Sequence, residues 1–213
     1  FILLNTLAPI NGGDPGILPT FSEGNTKASV GNSTARFTVG TFATTMPYYF
    51  EAKVTAISAS DSDQRIGIVD GDAMGATTTY VAVYQGDGVI TASGESNATG
   101  KDTLTANDII GVAVDLAGDN SVKFYENGDL QATMAVGAAY RGLSTTPFSR
   151  LRNATTTFEF NFGDPGYSVS SGNADANGYG NFEYAVPSGY YALCTKNLAQ
   201  YQTDQFGQWY KEV

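Results

Sequence analysis

Apolar and polar positions alternate most clearly between Asp108 and Gln131, DIIGVAVDLAGDNSVKFYENGDLQ. Ile110, Val112, Val114 and Leu116 share one parity, and Gly111, Ala113 and Asp115 fall on the other. A half-buried strand shows this pattern because successive side chains point to opposite faces. AGDN then supplies turn residues, and Val122 and Phe124 restart the alternation in VKFYE. Asn127-Gly128 follows, a pair suited to a tight hairpin because both turn positions favour positive φ. The spacing predicts two consecutive antiparallel hairpins.

Elsewhere the same reading yields more short strands. Ile2-Leu3-Leu4 reads as an edge strand ended by Pro9 and NGGDPG, and Phe21 to Ser29 reads as a polar segment. Ala35 to Val39 alternates as a strand. Tyr48 to Ile57 is a longer one, with Phe50, Ala52 and Val54 on one face and Tyr49, Glu51 and Lys53 on the other. Beyond the loop SASDSD, Arg65 to Val69 is a short apolar strand. Tyr80 to Tyr84 pairs across Gln85-Gly86-Asp87-Gly88 with Val89 to Thr91, and 93–107 reads as a surface loop. Thr133 to Arg152 reads as a weak strand followed by a long loop. Thr155 to Phe162 alternates with Phe158, Phe160 and Phe162 in phase; a Gly- and Asn-rich loop runs on to Asn181, and Tyr190 to Cys194 is the last clear strand. Thr195 to Tyr201 reads as a single helical turn. The total is about twelve short strands, no helix longer than two turns, no repeat and no linker, which predicts one all-β domain folded as a two-sheet antiparallel sandwich.

Composition narrows the class. The 213 residues suffice for one well-buried β domain, and charged residues make up only 15%, below the roughly 25% typical of soluble domains. No apolar run approaches the roughly 20 residues of a membrane span, and Phe1-Ile2-Leu3-Leu4 is too short for a signal core. The non-Met start suggests a processed chain or a fragment of something longer. With 11 basic and 21 acidic residues the net charge is −10, which disfavours a nucleic-acid partner, since phosphate binding needs clustered Lys and Arg. The one cysteine, Cys194, excludes an internal disulfide and reads as a buried, inert thiol.

Taken in order, these strands resemble the SPRY family of concanavalin A-like sandwiches. Tyr48-Tyr49-Phe50-Glu51 resembles its early W-Y-F-E strand, with Tyr48 where Trp is commoner. Arg65 to Val69 is similar to its x-x-G-I/V-V/A strand, and Asp108 to Asp115 to its D-x-I/V-G-V/C-x-x-D strand. Val122 to Gly128 resembles its V/I-x-F-x-x-N-G hairpin, and Asn161-Phe162-Gly163 its closing N-F-G. The ends resemble a subgroup, the SPRY-like domains of tailed-phage structural proteins. Asn5 to Pro9 with Gly24-Asn25 is similar to their opening; Gly178 to Phe182 and Pro187 to Leu198 are similar to their P-x-G-F/Y-x-A-L-x-T-x-N-L end. The resemblance spans nearly the whole chain. It implies a jelly-roll sandwich over residues 1–200, with 201–213 as an extension or the start of a following segment. It also implies a virion-surface, extracellular location within a tail fibre or capsid.

The chemistry sought in the residues is sparse. The absence of His removes His-based triads and His metal ligands. Glycosidases on such sandwiches set carboxylates on alternate residues of one strand, whereas Glu51, Glu126, Glu159 and Glu183 are each isolated, and Glu159 and Asp164 differ in parity. No catalytic residue is therefore assigned, and the chain reads as a non-enzyme. Asp61/Asp63, Asp70/Asp72 and Asp175/Asn177 are the acidic pairs that could hold Ca²⁺, but none follows the calcium-loop pattern and ordinary turn chemistry explains them, so no metal and no cofactor is expected. The sequons at Asn32, Asn97 and Asn153 are expected by chance in so Thr- and Asn-rich a chain. The aromatic run Tyr179, Phe182, Tyr184, Tyr190 and Tyr191 can stack on a sugar or, in alternate members, fill the sandwich. Tyr140, Arg141, Phe148, Arg150 and Arg152 gather aromatics and Arg in a loop-rich stretch, a binding hot-spot composition; they can equally stabilise a crossover loop or meet a neighbouring subunit. With Tyr167 and Tyr179 from the later loops, these are the ligand-binding candidates. The favoured function is a non-enzymatic phage virion module that recognises a host-surface glycan or protein. The alternative is a structural or decoration protein contacting only other virion subunits, possible copies of itself included. A carbohydrate-active enzyme on the same fold comes third.

Overall fold

Long in-phase apolar stretches make the central strands of the computed structural model, which describes residues 20–29, 34–38, 46–57, 61–70, 80–141, 145–152 and 156–200. The expected edge strand at Ile2 to Leu4 and the segment 201–213 lie outside these residues. Thirteen strands occur among those described: β1 Thr20–Ser22, β2 Lys27–Ser29, β3 Thr34–Thr38, β4 Tyr48–Ala56, β5 Arg65–Asp70, β6 Tyr80–Gln85, β7 Ile90–Ala92, β8 Ile109–Asp115, β9 Ser121–Glu126, β10 Asp129–Ala135, β11 Thr145–Arg152, β12 Thr157–Asn161 and β13 Tyr191–Ala192. They form two sheets. The larger runs β1-β2-β12-β4-β8-β9-β10, and the smaller runs β3-β11-β5-β6-β7. All pairings are antiparallel except that β13 lies parallel to Tyr48-Tyr49, beyond the point where β12 stops at Asn161 opposite Glu51. A short 3-10 turn, Ala138–Tyr140, and a helical turn over 195–200 complete the described chain. No helix among the described residues is long and apolar enough to cross a membrane.

The core lies between the sheets. Phe50, Ala52 and Val54 from β4, Ile110, Val112 and Val114 from β8, and Phe158 and Phe160 from β12 meet Ile66, Ile68, Ala82, Tyr84 and Leu151 of the smaller sheet. These are the parities the alternation predicts. Phe160 and Phe162 stack with centroids 5.8 Å apart, and Phe50 sits 5.7 Å from Phe162, within the range aromatic pairs prefer. Both predicted hairpins form, β8–β9 and β9–β10. The second turns on Asn127 at φ 51° and Gly128 at φ 89°, and the Asn127 amide ties the turn to Ile109 N–H and Asp108. Cys194 is free and buried.

Two segments correct the sequence reading. The supposed polar segment Phe21 to Ser29 is a hairpin, β1–β2, turned by Glu23, Gly24 and Asn25, all at positive φ. The supposed long loop after Thr133 contains β11, an interior strand of the smaller sheet paired with β3 and β5. Its alternation is hidden because Thr145, Thr146 and Ser149 are buried polar residues. Among the described residues only β5 pairs with Pro147, and the β3 register begins at Phe148, so the missing N–H is tolerated there.

Candidate binding site

The outer face of the larger sheet is closed by the loop that follows β12, and one buried carboxylate holds it there. Glu51 points outward from β4 yet is wholly buried. Its Oε1 accepts hydrogen bonds from Tyr184 N–H at 2.9 Å and Tyr49 hydroxyl at 3.2 Å. Its Oε2 accepts from Glu183 N–H at 3.0 Å, Tyr167 hydroxyl at 3.1 Å and the Asn161 amide at 3.2 Å. Burial raises the Glu51 pKa, and the donors oppose that rise. Every lone pair is engaged, and the carboxylate anchors the loop to β4. Phe182 packs edge-on to Tyr49 at 5.2 Å, in a cluster with Ala113, Tyr190 and Ala192. Asp175 fixes the far side of the loop: it accepts from Asn177, Tyr179 and Ala192 N–H and from the Asn197 amide.

Beside this cover the face stays open as a pocket of about 230 Å³, lined by Tyr49, Tyr125, Gly128, Tyr184 and Ala185. Two glycines shape it. A Cβ on Gly111 would lie 2.5 Å from the Tyr49 hydroxyl, so the tyrosine lies across β8 only because that residue has no side chain. A Cβ on Gly128 would lie 2.6 Å from a Tyr184 ring carbon, and the residue sits at φ +89°. Leu130 pairs with Tyr125 and so shares its face; it is 56% exposed, the one exposed large hydrophobic residue among those described. Lys123 reaches over the Tyr190 ring at 5.0 Å. The pocket suits a single side chain or a single sugar ring, below the size of a typical drug-sized site.

The seven sequence candidates do not converge on this pocket. Tyr167 stands behind it as a Glu51 donor, with Lys53 5.3 Å from its ring centre. Tyr179 lies under Lys196 at 5.2 Å. Tyr140 packs against the main core, and Arg141 bonds the Val136 carbonyl. Phe148, Arg150 and Arg152 share the outer face of the opposite, smaller sheet. Phe148 is buried there with Val69, Val83 and Tyr80, while both arginines pair with Asp63, Arg150 at 2.8 Å. Of the aromatic run, Phe182 is buried and Tyr191 packs on the core; Tyr184 walls the pocket. Sequence reasoning missed Tyr49 and Tyr125 as pocket residues. The available signal was parity: both sit on the strand faces opposite the core.

A second buried carboxylate lies at the loop end of the sandwich. Glu126 is 6% exposed, with the Tyr84 hydroxyl 2.5 Å from its Oε2 and 2.8 Å from the Asp102 carbonyl. Burial, with Asp108 and Asp102 nearby, pushes its pKa up to about 7. Among the described residues no three metal-ligating side chains come together. Asp63 is committed to arginines and Asp175 to the loop; Asp72 lies outside the described residues.

The described chain is a β-sandwich of two antiparallel sheets with a loop-closed face and a small aromatic pocket. The SPRY domain family matches residues 47–165, more than half of the chain, and the chain belongs to the SPRY family. SPRY domains mediate protein–protein interaction and are generally binding modules rather than enzymes. Among solved structures it is similar to the SPRY domain of human HERC1, at 11% identity and a TM-score of 0.55, over 74% of this chain and 96% of that one. A further human SPRY domain is 12% identical with a TM-score of 0.48, over 67% of this chain and 93% of that one. The HERC1 likeness speaks to the fold. No curated protein matches the chain. The segments that resemble the phage subgroup, Asn5 to Pro9 with Gly24-Asn25, Gly178 to Phe182 and Pro187 to Leu198, fall outside the matched residues.

Proposed function

We propose that the chain is a non-enzymatic binding module that takes a side chain or sugar ring of its partner in the pocket of Tyr49, Tyr125 and Tyr184. One observation carries the reading: the pocket is walled by half-buried Tyr125 and Tyr184, floored by buried Tyr49, flanked by exposed Leu130, and backed by a carboxylate already saturated with hydrogen bonds. Tyrosine gives large, amphipathic contact area at little entropic cost. Leu130 beside it favours a protein partner over a glycan. The resemblance of the chain ends supports a finer reading: one SPRY domain over residues 1–200, displayed on the surface of a phage tail fibre or capsid, that recognises a host-surface protein or glycan. A decoration role, contacting only other virion subunits, is the second reading, and a carbohydrate-active enzyme the third.

The test incubates the purified domain with cells of candidate bacterial hosts and with their isolated surface polysaccharide. Saturable binding without cleavage, abolished by Tyr184→Ala, is the expected result. Self-assembly without cell binding would transfer the role to decoration. Released oligosaccharide would overturn the non-enzymatic reading.

A further inference from the structure

Four of the chain's five arginines, Arg36, Arg65, Arg150 and Arg152, belong to three adjacent strands of the smaller sheet. The register sets Arg36 of β3 opposite Arg150 of β11, and Arg150 opposite Arg65 of β5. Arg150 and Arg65, as cross-strand partners, share a face, Arg152 extends it along β11, and Arg36 holds the register position opposite Arg150 on β3. Like charges directly opposite one another destabilise a sheet unless something compensates them. Among the described residues compensation is incomplete. Asp63 is shared by Arg150 and Arg152. Asp61 spends a carboxylate oxygen on its own turn, at Asp63 N–H. Arg65 stacks 4.6 Å over the Tyr80 ring and bonds the Ser62 carbonyl at 2.7 Å, and burial followed by repulsion from Arg150 lowers its pKa. Buried Arg150 Nε has no hydrogen-bond partner among the described residues, and Arg152 keeps 47% of its side chain exposed.

We propose that this arginine row is a docking surface for a short acidic segment of a partner protein. The residue type argues for carboxylates: no lysine stands in the row, and the planar guanidinium fork matches a carboxylate with paired hydrogen bonds. The dimensions agree. Three strands set the row about 10 Å long, and alternate side chains of an extended peptide lie about 7 Å apart on one face. Charge decides between acidic ligands. A long polyanion meets the field of a chain carrying −10, whereas a short segment feels mainly the groups within a Debye length of roughly 8 Å. The proposal does not depend on the tyrosine pocket, which lies on the other sheet.

Fluorescence anisotropy of a labelled oligo-glutamate peptide against the full chain tests it. Binding is expected at low salt and should weaken as salt rises. The double variant Arg65→Gln/Arg152→Gln should lose about tenfold in affinity, with an unchanged far-ultraviolet spectrum. Tyr184→Ala should bind as the parent does, which separates this surface from the pocket. Asp63→Asn removes the internal competitor and should bind more tightly, a gain that misfolding cannot produce. No binding by the parent, equal binding by the double variant, or tighter binding of a uronate oligosaccharide or inorganic phosphate would each overturn the proposal.

Discussion

Glu51 carries more of the site than any other side chain, because five donors from β4, β12 and the following loop end on it. Removing the acceptor strands two backbone N–H groups and three side-chain donors in a buried space, and each such loss costs on the order of 1–3 kcal/mol when water cannot replace it. The Asn161 amide keeps the Asn181 carbonyl and the two hydroxyls can reorient, so the two backbone N–H groups dominate, and Glu51→Ala is expected to lower stability by about 3 kcal/mol, read by urea unfolding. Glu126 makes a pH prediction with a definite sign. Its pKa rises from 4.5 unfolded to about 7 folded, so folding favours the protonated acid. The stabilisation is complete below pH 4.5, declines as pH rises, and is gone above about 7. Tyr84 supplies the structural reason. Its single proton cannot serve both nearby acceptors, but protonated Glu126 can donate to Tyr84 while Tyr84 donates to the Asp102 carbonyl. The parent should therefore lose about 1–2 kcal/mol between pH 5 and 8, after discounting for solvent screening, beyond any loss in Glu126→Gln. Parallel slopes for parent and variant in thermal unfolding against pH would remove this account.

At the scale of elements, the β9–β10 hairpin is both scaffold and wall. Gly128 needs its left-handed conformation for the turn, and it needs to lack a Cβ because Tyr184 lies against it. Gly128→Ala is expected to destabilise by about 1–2 kcal/mol from backbone strain alone, and to weaken partner binding by displacing Tyr184. A variant with lowered stability and full binding would separate the two roles. The hairpin was legible in the sequence because alternation, a turn pair and strand length all agree there. β11 was not, since its buried Thr145, Thr146 and Ser149 erase the polar–apolar contrast that the alternation depends on. β1–β2 was missed for a related reason: strands of three residues are too short to show a period. Parity and the strand motif place Gly111 but give no cause for it; the structure supplies one, the Tyr49 ring that crosses it.

At the scale of the whole molecule, the two sheets present unlike outer faces. The larger offers tyrosines and Leu130 beside a saturated carboxylate; the smaller offers an arginine row in a chain of net charge −10. The sandwich and its core were readable from parity, and the SPRY motifs in their order led to the family. The pocket was only half readable. Its residues lie far apart in the chain, and what joins them is the Glu51 contact across 132 and 133 residues, which no local pattern encodes. The central claim is that the partner meets the molecule at the tyrosine pocket. A photoreactive benzophenone side chain tests this most directly when placed at exposed Ala185 on the pocket rim and, as a control, at exposed Ala117 in the β8–β9 turn. Irradiated with bound host cells, the Ala185 derivative should form a covalent adduct that excess unlabelled domain suppresses, and the Ala117 derivative should form none. An adduct at Ala117 with none at Ala185 would contradict the account.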